Sequence, residues 1–159
     1  MADRFKDTEE TIYSFTNNIS VRCPRCAKRA LVSRPDFDPE NPFRLTIARV
    51  ICEHCAYARE QKPEKMTIGA PVDCFFNLPL WLQIGCCGEI LWAYNEPHLS
   101  LVENFVRADL REDSRATVKP AYYWHNVSSL SMKLPTWLKL AKNRDEILKA
   151  IERLRKTLE

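Results

Sequence analysis

Apolar and polar positions alternate with a period of two through Phe43-Arg44-Leu45-Thr46-Ile47-Ala48, a pattern that predicts a half-buried β-strand. Before it, Ile19 to Arg22 leads into a turn and Lys28 to Ser33 leaves it, with a Pro- and Asp-rich loop following. Ala56 to Glu60 then reads as the third strand of a ribbon, and Pro63 ends it. The polar stretch Gln61 to Pro71 is a linker, after which the pattern changes. Leu80-Trp81-Leu82-Gln83-Ile84 and Glu89-Ile90-Leu91-Trp92-Ala93-Tyr94 flank Gly85-Cys86-Cys87-Gly88, which predicts a β-hairpin.

Helical spacing takes over from there. Pro97 marks a helix start, and Leu99, Val102, Phe105, Val106 and Leu110 form a helical stripe. Lys119 to Met132 reads as irregular. Pro135 suits the first turn of a short helix to about Lys142, and Asn143 with Glu146 three residues later has the form of a capping box. Ile147, Leu148, Ile151, Leu154 and Leu158 make the apolar face of a last helix. The expected fold class is therefore α+β: an N-terminal three-stranded ribbon plus a β-hairpin packed with two to three C-terminal helices. Residues 1–19 form an N-terminal arm, 20–65 the ribbon, and 66–159 the hairpin and helical domain.

Composition keeps this picture within an ordinary range. Of 159 residues, 45% are hydrophobic and 28% charged, which suits one compact domain or two small ones. Met1-Ala2-Asp3-Arg4 opens no apolar signal segment, and no stretch approaches the roughly 20 apolar residues of a membrane span. The chain reads as cytoplasmic. The net charge of +3 is uneven: residues 20–65 carry ten Lys/Arg against six Asp/Glu, 66–130 four against seven, and 131–159 eight against four. That is a weak signature for a nucleic-acid binder and fits a protein partner at least as well.

Chemistry enters with the cysteines. Cys23-Pro24-Arg25-Cys26 and Cys52-Glu53-His54-Cys55 are two C-x-x-C knuckles at a separation that a hairpin can bridge. Cys23, Cys26, Cys52 and Cys55 can close a tetrahedron of thiolates around one Zn²⁺, with no position left for water, so the metal is expected to be structural. Iron in the same site and a pair of redox dithiols are the alternatives, and no thioredoxin-like βαβ context surrounds either pair. His54, inside the second knuckle, reads as a bystander.

The knuckles with their intervening strands resemble a zinc ribbon of the rubredoxin or transcription-factor-IIB type. Ala27 and Ala56 stand where such ribbons often carry Gly. The segments Leu80-Trp81-Leu82-Gln83, Cys86-Cys87-Gly88-Glu89, Leu91-Trp92-Ala93-Tyr94-Asn95 and Ala141-Lys142-Asn143-Arg144 resemble a group of small, uncharacterised bacterial zinc-ribbon-containing proteins. That resemblance implies no activity.

The remaining features are less specific. Cys86 and Cys87 read as one thiol packed inward and one outward at a hairpin turn; a redox switch or a second metal site with Cys74 and His98 is the competing reading. Tyr122-Tyr123-Trp124-His125 either packs on the core, stacks bases or anchors a partner. His54, His98 and His125 fall in separate segments, and neither a catalytic motif nor a Gly-rich phosphate loop occurs. These readings converge on a non-enzymatic zinc-binding protein that acts by protein–protein interaction, one form being an inhibitor or immunity-type protein that neutralises a toxin or enzyme. The alternative is a nucleic-acid-binding ribbon using Arg22, Arg25, Lys28, Arg29, Arg44 and Arg49. The sequence leaves the oligomeric state open.

Overall fold

Ile19 and Val21, Ala30 and Val32, and Ala48 and Val50 are buried on three successive strands, while Arg22, Arg29, Leu31, Arg49 and Ile51 are exposed. That alternation builds a sheet with one covered and one open face. The computed structural model describes residues 4–5, 11–108, 110–111 and 134–159. After β1 (Arg4–Phe5) come β2 (Ile19–Arg22), β3 (Arg29–Ser33), β4 (Ala48–Ile51) and β5 (Ala58–Gln61), which form one antiparallel sheet in the order β2-β3-β4-β5. Register places Ile19 opposite Val32 and Val32 opposite Val50.

The sheet therefore has four strands, where the sequence predicts three. The strand before the second knuckle also starts later than its alternation suggests, since only Ala48 of the Phe43–Ala48 segment belongs to β4. The reason is Arg34, whose side chain is 2% exposed. Its guanidinium donates to the Pro42 carbonyl (3.3 Å), the Arg44 carbonyl, Thr46 Oγ1 (3.1 Å) and Thr16 Oγ1 (2.6 Å). The Arg44 carbonyl, which would serve a strand ladder, goes to this buried cation instead, and the chain wraps around it as a loop.

Two strands form the hairpin, β6 (Leu82–Cys86) and β7 (Glu89–Ala93), with Leu82 opposite Ala93 and Cys86 opposite Glu89. Its flanks close the open edge of β2. Ser20 N–H donates to the Tyr94 carbonyl (2.8 Å), Trp81 N–H to the Ser20 carbonyl (3.0 Å) and Arg22 N–H to the Pro79 carbonyl (2.9 Å). The short 3-10 turn Ile12–Phe15 buries Ile12 and Phe15 in the core beneath the sheet.

α1 (Glu96–Arg107) begins at Asn95, whose Oδ1 accepts from His98 N–H, with Pro97 in the first turn. It ends at Arg107, and Ala108 is extended. Leu110, read from sequence as part of the helical stripe, lies in β8 (Leu110–Arg111), which pairs in parallel with β1.

The last helices are α2 (Thr136–Lys139) and α3 (Arg144–Lys156), joined by a 3-10 turn at Ala141–Asn143. The predicted capping box is absent. Asn143 already has helical backbone angles, and its side chain donates to the Trp137 carbonyl (2.9 Å), while Glu146 accepts from Cys87 Sγ (3.0 Å). α3 packs Ile147, Ile151 and Leu154 with Leu99, Val102 and Val106 of α1 and with Leu82 and Leu91 of the hairpin. Arg155 locks the two helices through Glu96 (3.2 Å) and Glu103 (3.0 Å). Among the described residues no helix is long and apolar enough to cross a membrane.

Candidate metal centre

The two knuckles repeat the same local geometry. Cys23 N–H donates to the Lys28 carbonyl (2.7 Å) and Ala27 N–H to the Cys23 carbonyl (2.9 Å). In the second knuckle Cys52 N–H donates to the Tyr57 carbonyl (2.8 Å) and Ala56 N–H to the Cys52 carbonyl (2.9 Å). The tight reversal needs a left-handed residue after each second cysteine. Ala27 (φ 65°) and Ala56 (φ 63°) fill those places, which a glycine would occupy without the Cβ clash.

β2–β3 and β4–β5 belong to one sheet, so the knuckles at the same end of the two hairpins face each other. The sulfurs then pair across the knuckles: Cys23 Sγ lies 3.5 Å from Cys55 Sγ, and Cys26 Sγ lies 3.6 Å from Cys52 Sγ. All four Sγ atoms fall within 4.8 Å of one another. Four sulfurs at ~2.3 Å from a tetrahedral ion would sit about 3.8 Å apart. The two cross-knuckle pairs are within a few tenths of an ångström of that separation and the whole set within about one, so the cluster can bind a metal ion. Cys23 and Cys52 are buried, and Cys26 and Cys55 half-buried.

The electrostatics follow from four acidic groups sharing one small volume. Burial works to raise the Cys23 pKa, but amide N–H groups of Cys26 and Arg25 and the thiols of Cys55 and Cys52 outweigh it and bring it down to about 6. At Cys55 the Tyr57 amide works to lower the value, while burial and the thiols of Cys23, Cys26 and Cys52 push it up to about 12. Cys23 ionises easily and Cys55 then resists, as expected when like charges crowd together. A cation between the sulfurs removes that resistance.

The structure disposes of other sequence candidates in different ways. His54 is exposed on the second knuckle. His98 is buried, with Nδ1 accepting Tyr94 N–H at 3.0 Å and its ring stacked on Phe15 at 5.1 Å. Burial lowers its pKa to about 3. Cys74 is buried beneath the four-stranded sheet, whereas Cys86 packs among the hairpin and helices, so the two do not share a core cluster. Tyr122 to His125 lie outside the described residues.

Three structural residues escaped the sequence reading. Arg34 and Asn95 tie distant segments together; Asn95 Nδ2 donates to the carbonyls of Phe15 (3.0 Å) and Asn17 (3.1 Å). Asp73 organises the loop after the linker by accepting from Phe75, Phe76 and Leu78 N–H at 2.9, 2.6 and 2.7 Å. Asn before a Glu-Pro helix start was a readable cap signal for Asn95; nothing local announced the other two.

An apolar cavity of about 340 Å³ lies between hairpin and helices, bordered by Trp92, His98, Val102, Trp137 and Leu138. On the open face of the sheet a depression of about 260 Å³ is bordered by Arg29, Leu31, Ser33, Ile51, Glu53 and His54. Compared with protein-family models, characterised proteins and solved structures, the chain shows no significant match to any.

Proposed function

We propose that this chain is a zinc-ribbon protein without catalytic activity, in which one Zn²⁺ held by Cys23, Cys26, Cys52 and Cys55 is structural and the sheet it braces binds another protein. Four sulfurs complete the ion's tetrahedron, leaving no site for water or substrate. Zinc binding of this kind contributes about 10–16 kcal/mol to folding, more than such a small sheet obtains from its own core.

The observation that carries the binding reading is the pairing of Leu31 with Ile51 across β3 and β4, at 43% and 42% exposure. Two large aliphatic side chains side by side on an open sheet face contribute nothing to the core and form an apolar centre with Arg22, Arg29 and Arg49 around it. That is the arrangement of a protein interface: apolar middle, polar rim. An inhibitor or immunity-type protein is one form of this function.

The same arginines carry the nucleic-acid alternative, and their contacts argue against it. Arg49 pairs with Glu60 at 2.7 Å, Arg44 donates to the Asp36 carbonyl at 3.2 Å, and Arg29 reaches the Leu158 carbonyl at 3.5 Å. Arg25 lies over the Tyr57 ring, 5.4 Å from its centroid. A phosphate backbone would have to compete for these groups.

Affinity capture after nuclease treatment, run in parallel with wild type, Leu31→Glu and Arg25→Glu, tests both readings. Stoichiometric capture of one partner by wild type and by Arg25→Glu, lost in Leu31→Glu, is expected. Retention on a polyanion column that falls steeply with salt and disappears in Arg25→Glu would replace the protein reading with the nucleic-acid one.

A further inference from the structure

The hairpin turn contains a cysteine where the backbone disfavours one. β6 and β7 are joined by two residues, Cys87 and Gly88, with Cys86 opposite Glu89. Both turn residues are left-handed, at φ 54° and 77°. Asn-Gly is the favoured pair for such a turn. A cysteine in this conformation carries backbone strain that Gly avoids and Asn largely does. Where local preference is broken in this way, a functional reason is worth seeking.

The strained residue changes where its thiol points. Neighbours on a strand send their side chains to opposite faces. Here the left-handed turn cancels the alternation, and Cys86 Sγ and Cys87 Sγ converge to 3.6 Å. Cys87 Sγ also donates to Glu146 Oε2 at 3.0 Å, from the first turn of α3. Cys86 is buried and Cys87 half-buried, so the pair sits at the surface with one thiol anchored in the core.

We propose that Cys86 and Cys87 form a second thiol site, separate from the four-cysteine cluster, that chelates a thiophilic centre through two sulfurs in a bent geometry, trivalent arsenic being the fitting case. Sulfurs 3.6 Å apart, each set at the ~2.3 Å of a zinc–thiolate bond from a common atom, subtend about 103° there. A linear two-coordinate centre would need them roughly 4.6 Å apart. A disulfide would need ~2.05 Å, between Cα atoms only ~3.8 Å apart where bridged cysteines are usually separated by more than 4.4 Å. The geometry therefore suits bent chelation better than either.

The chemistry closes without an oxidant. With an organic arsenoxide, R–As=O, two As–S bonds form and the As=O bond breaks. Its oxygen leaves as water with both thiol protons, and arsenic stays trivalent. Glu146, already accepting the Cys87 hydrogen, is placed to take that proton on its way to the departing oxygen.

The test uses the full-length, zinc-loaded protein with phenylarsine oxide, read by native mass spectrometry. One adduct per chain is expected, formed with loss of one water, with zinc retained. It should withstand excess glutathione and be removed by dithiothreitol, because only a dithiol competes with a chelate. Cys86→Ala and Cys87→Asn should each abolish the glutathione-resistant adduct. Cys87→Asn suits the left-handed turn, so its melting temperature should match or exceed wild type and its zinc content should be unchanged. The proposal is overturned if the resistant adduct persists in Cys87→Asn, if glutathione strips it from wild type, or if arsenic enters only by expelling zinc from the four-cysteine cluster.

Discussion

Cys23 Sγ and Cys55 Sγ lie 3.5 Å apart although they are 32 positions apart in sequence, so each half of the four-cysteine cluster is completed by the opposite hairpin. Neither knuckle can supply four ligands alone, so the proposed function makes metal binding and sheet assembly one event. Cys52→Ser is expected to lose the metal and unfold the sheet. Stoichiometric metal by elemental analysis, and a melting temperature that drops by tens of degrees in a chelator, are the measurements. A metal-free protein with an unaltered melting curve would refute the structural role.

Replacing Ala27 or Ala56 with Gly should stabilise the protein. Each alanine is left-handed, at φ 65° and 63°, with a cost of about 1–2 kcal/mol that Gly avoids. Gly returns ~0.4–1 kcal/mol through the unfolded chain's greater freedom. A net gain of about 0.5–1 kcal/mol per site by denaturant unfolding at fixed zinc concentration is expected.

His98 should make stability fall as the solution is acidified. Burial holds its folded-state pKa at about 3, below the ordinary 6.5. Between those values the unfolded chain binds the proton and the folded chain does not, so the stabilisation is complete above ~6.5 and is lost progressively toward 3. The contribution is up to about 1.4 kcal/mol per pH unit. His98→Gln removes it while leaving an acceptor for Tyr94 N–H. Wild type should therefore lose stability faster than the variant between pH 6 and pH 4, and parallel slopes would contradict the assignment.

Arg34→Lys should cost about 2–4 kcal/mol. Lysine keeps the charge but cannot present a planar fork to Thr16, Thr46 and the carbonyls of Pro42 and Arg44. The loss should appear in urea unfolding without any change in metal stoichiometry, because the knuckles lie elsewhere on the sheet.

Asp73→Ala should destabilise by about 1–3 kcal/mol, since three amides then lose their acceptor inside the protein. Hydrogen exchange at Phe75, Phe76 and Leu78 should speed up with it, and unchanged protection would show that the carboxylate does not organise this loop.

Much of this architecture is local and therefore readable along the chain. The C-x-x-C spacing, the strands leading into and out of the first knuckle, a hairpin reversing near Gly85-Cys86-Cys87-Gly88 (although Gly85 and Cys86 belong to the strand and only Cys87 and Gly88 form the turn) and the stripes Leu99–Val106 and Ile147–Leu154 each depend on neighbours a few positions away. Periodicity and turn chemistry act over just that range, which is why those elements fall near their predicted places. What tertiary structure decided are the places where a distant group outbids a local preference. Arg34 takes the Pro42 and Arg44 carbonyls and the Thr46 hydroxyl, and the strand begins only at Ala48. Cys87 engages Glu146 and Trp137 engages Asn143, so a capping box legible in the sequence does not form. The meeting of the two adjacent thiols belongs to the same class: strand alternation sends neighbours apart, and only a backbone turned left-handed to close the hairpin brings Cys86 and Cys87 together. A one-dimensional pattern records the period of a segment, but not the long-range hydrogen bonds that override it once the chain is folded.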